Sequence, residues 1–117
     1  MSNAISTVSF QTSTIELCCE VRQNFHALGQ LIEKVGTPDE KGLVLALNPI
    51  VSDAYKNVIM GYVDRTDAAK DMAAAARCLV IGAGSTYGTG SENRKTWNKL
   101  CRSNARLEMQ IDRDSRA

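Results

Sequence analysis

Six apolar residues recur along one early segment of the chain at alternating spacings of three and four positions. They are Cys18, Val21, Phe25, Leu28, Ile32 and Val35. Because an α-helix has about 3.6 residues per turn, this spacing places all of them on one stripe of a helix. Ser13 and Glu16 match the capping box that often begins a helix, and Gly36 followed by Pro38 is typical of a helix end. The sequence therefore predicts an amphipathic first helix over residues 13–35.

Two further helical segments are separated by a very short connection. Asn48 and Pro49 fit an N-cap and a first helical position, which predicts a second helix to about residue 63. The alanine-rich residues 67–82 predict a third helix. Because only the corner Asp64-Arg65-Thr66 lies between them, we expect the two helices to form an antiparallel hairpin. The short apolar run at residues 43–47 is predicted to be a buried strand or an extended link.

The ends of the chain and a glycine-rich segment are expected to be less regular. Residues 1–12 are rich in Ser and Thr, which predicts an extended N-terminal arm. Residues 82–90 hold four of the eight glycines and are predicted to end the third helix in irregular backbone. A last short helix should contain Trp97, which we expect in the core or at a subunit contact, because it anchors a chain reversal. Periodicity is lost over about residues 103–117, which predicts a partly ordered tail.

Length and charge limit the class of protein. A chain of 117 residues is expected to form a single domain over residues 1–117. Its 14 Lys and Arg against 13 Asp and Glu give a net charge of +1, which is no global signature of nucleic-acid binding. Any RNA binding must therefore be local or summed over many copies. Its apolar runs are far shorter than the ~20 residues that span a bilayer, so we expect no membrane partner.

Residues that often carry catalysis or bind metals show no recognisable pattern. The four cysteines fit neither a C-x-x-C pair nor a disulfide scaffold, and we interpret them as reduced, small hydrophobic residues. On a helix, Cys18 and Cys19 point about 100° apart and cannot chelate one metal as a pair. His26, the single histidine, has no nucleophile arranged beside it. The sequence predicts no metal site and no enzyme.

The glycines of residues 82–90 are partly similar to a dinucleotide-binding motif. Gly82, Gly84 and Gly88 suggest a loop that could cradle phosphates. However, the third glycine comes one residue late for G-x-G-x-x-G, and an alanine-rich helix precedes it where a strand is required. We therefore predict a helix end that leads into a loop, and no cofactor.

Two charged segments are candidates for contact with a nucleic acid. The first is the corner at residues 64–71, which by itself is better explained as an ordinary solvated loop. The second is the C-terminal stretch, which is more basic but contains interleaved acids. Its basic residues are Arg94, Lys95, Lys99, Arg102, Arg106, Arg113 and Arg116, and its acids are Glu108, Asp112 and Asp114.

Four segments together resemble tobamovirus coat proteins. GTGSENRKTW at residues 88–97 is similar to the family's C-terminal signature of G-T-G-S, N-R and an aromatic residue. NPIVSDAYKNVIMGYVDRT at residues 48–66 resembles the family's third helix, with its Asp-Thr-Arg order changed to Asp-Arg-Thr. SNAISTVSF at residues 2–10 and IEL at residues 15–17 are similar to the N-terminal arm and the start of the first helix.

The resemblance implies an all-α fold and a structural function. The expected fold is an antiparallel up-down bundle of three to four long helices, with a minor β element at the outer end. Both termini would point outward, and the corner at Arg65 would point toward the axis. The expected function is a capsid protein that self-assembles into a helical rod around single-stranded RNA. Its location would be the virion, and the host cytoplasm during assembly.

The resemblance also implies functional residues. Arg65 would neutralise an RNA phosphate, Asp67 would accept a hydrogen bond from a ribose hydroxyl or a base, and Lys70 is a weaker RNA-binding candidate. Asp53 and Glu33 match the family's intersubunit carboxylates, where calcium could bind weakly.

Two departures from the family pattern bear on these assignments. The family's extended inner loop is absent here, because Asp67 follows the corner almost at once. In addition, residues 13–35 are short for two antiparallel helices, so the region can be either one helix or two. The competing functional class is a small monomeric or dimeric helical binding or regulatory module that uses the basic C-terminal segment. Size-exclusion chromatography separates the two classes.

Overall fold

The computed structural model describes most of the chain. The backbone is described at residues 2–61, 65–89 and 93–116, and the side chains at residues 13–61, 65–89 and 93–114. Within these ranges all regular structure is helical, and no residue is in a strand.

The described residues form four successive α-helices. They are α1 (Ser2–Val35), α2 (Pro38–Met60), α3 (Arg65–Tyr87) and α4 (Arg94–Arg116). Each helix packs against the next, α4 also packs against α1, and α1 touches α3 across the middle. The prediction of an all-α helix bundle is therefore confirmed for the described residues.

The contacts between α1 and α4 show that these two helices run in opposite directions. Thr14, early in α1, donates a hydrogen bond from Oγ1 to Oδ2 of Asp114, late in α4, at 3.0 Å. Asn24, further along α1, donates from Nδ2 to Oγ of Ser103, earlier in α4, at 3.0 Å. The register is therefore antiparallel and fixed by polar contacts at two levels.

The other neighbouring helices are antiparallel as well. Between α2 and α3, Leu43 contacts Gly82, whereas Gly61 contacts Arg65 at the opposite end. Between α1 and α2, only two residues form the turn. The bundle therefore has two ends, which we name after the connections that they contain. The corner end holds the connection between α2 and α3, and the turn end holds the connections between α1 and α2 and between α3 and α4.

The core is one cluster to which all four helices contribute. From α1 come Cys18, Val21, Phe25, Leu28 and Ile32, which are the predicted stripe apart from Val35. Six of the nine buried residues of α3 are alanines, so α3 lies close to its neighbours. The buried stripe of α1 confirms the helical spacing predicted from the sequence. The last residue of α1 is Val35, which confirms the predicted end of the first helix.

The prediction of a minor β element is wrong for the part of the chain that the structure describes. Residues 43–47 lie inside α2, because the capping box of Thr37 and Glu40 begins the helix at an N-cap eleven residues before the predicted N-cap Asn48. Pro49 is tolerated within the helix because it is exposed, so water can hydrate the carbonyl of the preceding turn that loses its N–H partner.

Three other expected irregular segments are also helical. The backbone of residues 2–12 belongs to α1 rather than to an extended arm, since extending an existing helix adds one hydrogen bond per residue. The glycines at residues 82 and 84 lie inside α3, where Gly82 packs against Leu43. The expected C-terminal tail belongs to α4, which continues to Arg116.

Candidate nucleic-acid interface

Arg65 begins α3 at the corner end and is half-buried. It precedes buried Ala69 by four positions, which places it on the inner stripe of α3. Its guanidinium lies against Gly61, where an added Cβ would come within 2.8 Å of Nη2. The side chain also lines a small cavity together with Thr14 and Asp114. The structure thus places Arg65 between the helices at this end of the bundle.

Asp67 and Lys70 are exposed on the outer side of α3. Lys70 borders a groove between α3 and α4, together with Arg77 and Glu108. The three predicted RNA-binding residues therefore do not share one surface, because Arg65 faces inward whereas the other two face solvent.

The corner end also contains the end of α4. Thr14 of α1 and Asp114 of α4 meet there, close to Arg65. The expectation that the corner and the outward-pointing chain ends lie at opposite ends of the subunit is therefore wrong. Two long helices, α3 and α4, follow the corner, so the chain returns to the corner end at the end of α4.

Glu33 and Asp53, the predicted intersubunit carboxylates, are both exposed. Glu33 lies near the turn end of α1, whereas Asp53 lies close to the level of Cys19, whose Sγ is 3.3 Å from the hydroxyl of Tyr55. At 1.5 Å per residue, the two carboxylates are separated by roughly 20 Å along the helix axes. They cannot bind one ion within a subunit, and calcium between subunits stays a prediction. Among the described residues, no three or more His, Cys, Asp or Glu side chains are grouped to bind a metal.

The cysteines are free thiols in different surroundings. Burial, together with the neighbouring Cys19, raises the pKa of the Cys18 thiol to about 12. This thiol stays protonated at neutral pH, so it is a poor nucleophile and a poor metal ligand. Cys78 is exposed on α3.

The basic residues of the C-terminal stretch form an exposed row along α4. This α4 strip consists of Lys95, Lys99, Arg102, Arg106 and Arg113. Their spacings of four, three, four and seven positions place them on one face of the helix. The opposite face carries the buried residues, among them Leu100, Leu107 and Ile111. The sequence shows the number of basic residues, but only a continuous helix brings them into one row.

The acids of α4 are turned away from the strip. Glu108 faces α3, where its carboxylate lies 3.3 Å from Nη1 of Arg77, and the exposed Asp112 borders the same groove between α3 and α4. Asp114 faces α1 and accepts hydrogen bonds from Thr14 and from Gln110, whose Nε2 is 2.8 Å away. The interleaving of charges along the sequence is therefore resolved into separate faces of the helix.

One acid of α1 reaches the α4 strip. Glu20 forms an ion pair with Arg106 on the exposed surface. Among the described side chains, neither of the two ion pairs found involves Lys95, Lys99 or Arg102. The half of the strip nearer the turn end therefore keeps its full positive charge.

No described aromatic ring accompanies the strip. Trp97 faces α3, where its Nε1 donates to the carbonyl oxygen of Val80 at 2.9 Å. It packs against the core, which confirms one of the two predicted locations. The strip can contact phosphates through charge, but it offers no ring on which a base could stack.

In comparisons with known proteins, no family model, no curated protein and no solved structure matches the chain. None of the helices has, within its described residues, an apolar stretch long enough to cross a membrane.

Proposed function

We propose that this protein is a structural subunit of the tobamovirus coat-protein type, which binds single-stranded RNA and associates with copies of itself. It acts in a virion, and in the host cytoplasm during assembly, without catalysing a reaction. The observation that carries the RNA-binding part is the α4 strip, an exposed row of five cations separated from the acids of the same helix.

A row of cations along a helix suits the backbone of a nucleic acid. Lysine and arginine side chains neutralise phosphates and release counterions, which gives binding that depends on salt and little on sequence. A near-neutral subunit contributes only a few such contacts. Polymerisation along one strand adds the contacts of successive subunits, so weak individual sites suffice.

Exposed apolar side chains support self-association. Of the seven large hydrophobic residues that are exposed among the described side chains, four lie on α2. They are Leu45, Ile50, Ile59 and Met60. Apolar groups that remain exposed in a subunit are available to pack against other copies. A head-to-tail contact of this kind, repeated without closure, generates a helical polymer.

The residues implied by the resemblance give a second candidate RNA site. Arg65, Asp67 and Lys70 lie at the corner end and on the outer face of α3. Asp53 and Glu33 remain the candidate intersubunit carboxylates. We keep both assignments as proposals, with the α4 strip as the preferred RNA contact because its charges share one surface.

Binding of single-stranded RNA by variants separates the two candidate sites. The variant Lys99→Ala/Arg102→Ala should lose affinity and show a shallower salt dependence, by about 0.7 in slope per contact removed. The matched variant Arg65→Ala/Lys70→Ala removes the same charge from the other site and should bind normally. If only the second variant loses RNA, the α3 site is the interface. Absence of RNA binding by the wild-type protein would overturn the proposed function.

The second functional class uses the same strip without a polymer. A monomeric or dimeric helical binding module would present the strip to its ligand in the same way. Size-exclusion chromatography and negative-stain microscopy of the purified protein distinguish a small species from disks or rods.

A further inference from the structure

The positive charge of the α4 strip is uneven along its length. Arg106, in the half nearer the corner end, is paired with Glu20 of α1. Among the described side chains, Lys95, Lys99 and Arg102, in the half nearer the turn end, form no ion pair, and neither does Arg113, which Arg106 separates from these three cations. Both residues of the pair are substantially exposed, with 57% of the Arg106 side chain and 41% of the Glu20 side chain accessible.

We propose that Glu20 shortens the continuous RNA-binding surface by occupying Arg106, so that RNA contacts the strip through Lys95, Lys99 and Arg102 and does not extend to Arg113, which lies two helical turns beyond Arg106. This inference rests on the proposed function and concerns the regulation of the same site. Glu20 acts as an internal substitute for a phosphate, and it also repels any phosphate that approaches Arg106.

The packing of α1 against α4 holds Glu20 in this position. Asn24, one turn further along α1, donates from Nδ2 to Oγ of Ser103 at 3.0 Å and to the carbonyl oxygen of Lys99 at 3.3 Å. Thr14 fixes the same register nearer the corner end through Asp114. Contacts on both sides of Glu20 therefore keep its carboxylate beside Arg106 in the folded protein.

Counterion release makes this arrangement measurable. A cation that is already paired with a carboxylate has little counterion to release when a phosphate arrives, so it adds little to the salt dependence of binding. Three available cations give a slope of log affinity against log salt of roughly −2 for a single strand. Release of Arg106 as a fourth cation makes the slope roughly −3, since each contact contributes about 0.7.

The test is a salt titration of single-stranded poly(U) binding by four proteins. They are the wild type, Glu20→Gln, Glu16→Gln and the double variant Glu20→Gln/Arg106→Ala. Glu16→Gln is the matched control, because it removes the same charge from the exposed surface of α1, one turn away, and Glu16 is not in an ion pair with the strip. Circular dichroism confirms that each variant is folded.

We expect Glu20→Gln to steepen the slope by about 0.7, which is a further 2.5-fold change in affinity over a fourfold change in salt. The double variant should return to the wild-type slope, and Glu16→Gln should leave the slope unchanged. Equal slopes for Glu20→Gln and the wild type would overturn the inference and leave RNA binding intact. Equal steepening by Glu16→Gln would also overturn it, because a general charge effect would then suffice. Failure of every protein to bind poly(U) would overturn the proposed function as well.

Discussion

Glu40 is the one carboxylate in the described core that is almost fully buried, with 7% of its surface exposed. Burial alone would raise the pKa of this carboxyl. Hydrogen bonds from the backbone N–H of Thr37 and from the hydroxyls of Thr86 and Thr37 outweigh that effect and hold the pKa below its usual value. The carboxylate therefore joins the start of α2 to the end of α3 at the turn end.

The variant Glu40→Gln should lower the free energy of unfolding by about 1–2 kcal/mol at neutral pH, because a charged acceptor is replaced by a neutral one. A lowered pKa means that this stabilisation is present above the ordinary glutamate pKa of about 4.3 and is lost as the pH falls through the lower folded value. Urea titrations at several pH values should show that the free energies of unfolding of the wild type and Glu40→Gln become equal in acid. A difference that persists unchanged well below pH 4 would contradict the assigned charge.

Single residues are the least predictable part of the candidate site. The assignment of Arg65 to RNA depends on its position in a resembling segment, and the sequence does not reveal that it points toward the core. The cap of α2 is visible in the sequence, because Thr37 and Glu40 form a capping box with Pro38 at the first helical position. The apolar run that follows this cap favours a strand when it is considered alone.

At the scale of helices, the sequence predicts α1 and most of α3 but misses the first part of α2 and the second half of α4. The stripe of α1 is evident. The second half of α4 looks like a tail because Ser103 and Asn104 occupy buried positions. Ser103 donates to the carbonyl oxygen of Leu100, and Asn104 to that of Ala73 at 3.0 Å. These hydrogen-bond acceptors lie on other turns and other helices. The spacing of apolar residues in the sequence therefore does not reveal that Ser103 and Asn104 are buried.

Two glycines of α2 give a matched test of its boundaries. Gly61 ends the helix with a φ of 69°, in the left-handed region, whereas Gly42 lies exposed within the helix, where an added Cβ would meet no atom within 4 Å. Gly61→Ala should destabilise the protein by about 1–2 kcal/mol, because a side chain is strained in this conformation. Gly42→Ala should stabilise it by about 0.5–1 kcal/mol through its higher helix propensity. Thermal unfolding of both variants checks the direction of each stability change. A stabilising effect of Gly61→Ala would contradict the left-handed C-cap at Gly61.

The close packing of α3 predicts a penalty for enlarging its buried alanines. Ala76 is fully buried, so Ala76→Val should destabilise the protein by about 1–3 kcal/mol through overpacking. Ala74 is exposed on the same helix, and Ala74→Val should cost no more than about 0.7 kcal/mol, which reflects helix propensity alone. Chemical denaturation of the pair isolates the packing contribution. Equal losses would show that α3 has room on its inner side.

For the whole molecule, the bundle class follows from the sequence, but the arrangement of its ends does not. Three long helices would leave the corner opposite the end of the chain, whereas four return it to the same side. The full length of α4 is hard to recognise in the sequence, because Ser103 and Asn104 occupy two buried positions between the apolar residues Leu100, Leu107 and Ile111.

Assembly tests the predicted intersubunit carboxylate Asp53, which is exposed on α2. If this residue faces another carboxylate across a subunit contact, their repulsion opposes assembly when both are charged. Asp53→Asn should then polymerise at higher pH than the wild type, as measured by turbidity between pH 5 and 8. Glu16→Gln carries the same change of charge at a site outside the proposed contact and should follow the wild type. Identical turbidity curves for all three proteins would remove Asp53 from the interface.

The alanines that let α3 approach its neighbours also restrict how this protein can change over evolutionary time. A surface helix accepts many side chains, but a helix whose inner positions admit only small ones can exchange alanine mainly for glycine or serine. Distant descendants of this chain could lose nearly all detectable identity elsewhere and still keep that run of small residues. The spacing of small residues in α3 would then identify a relative where overall similarity does not.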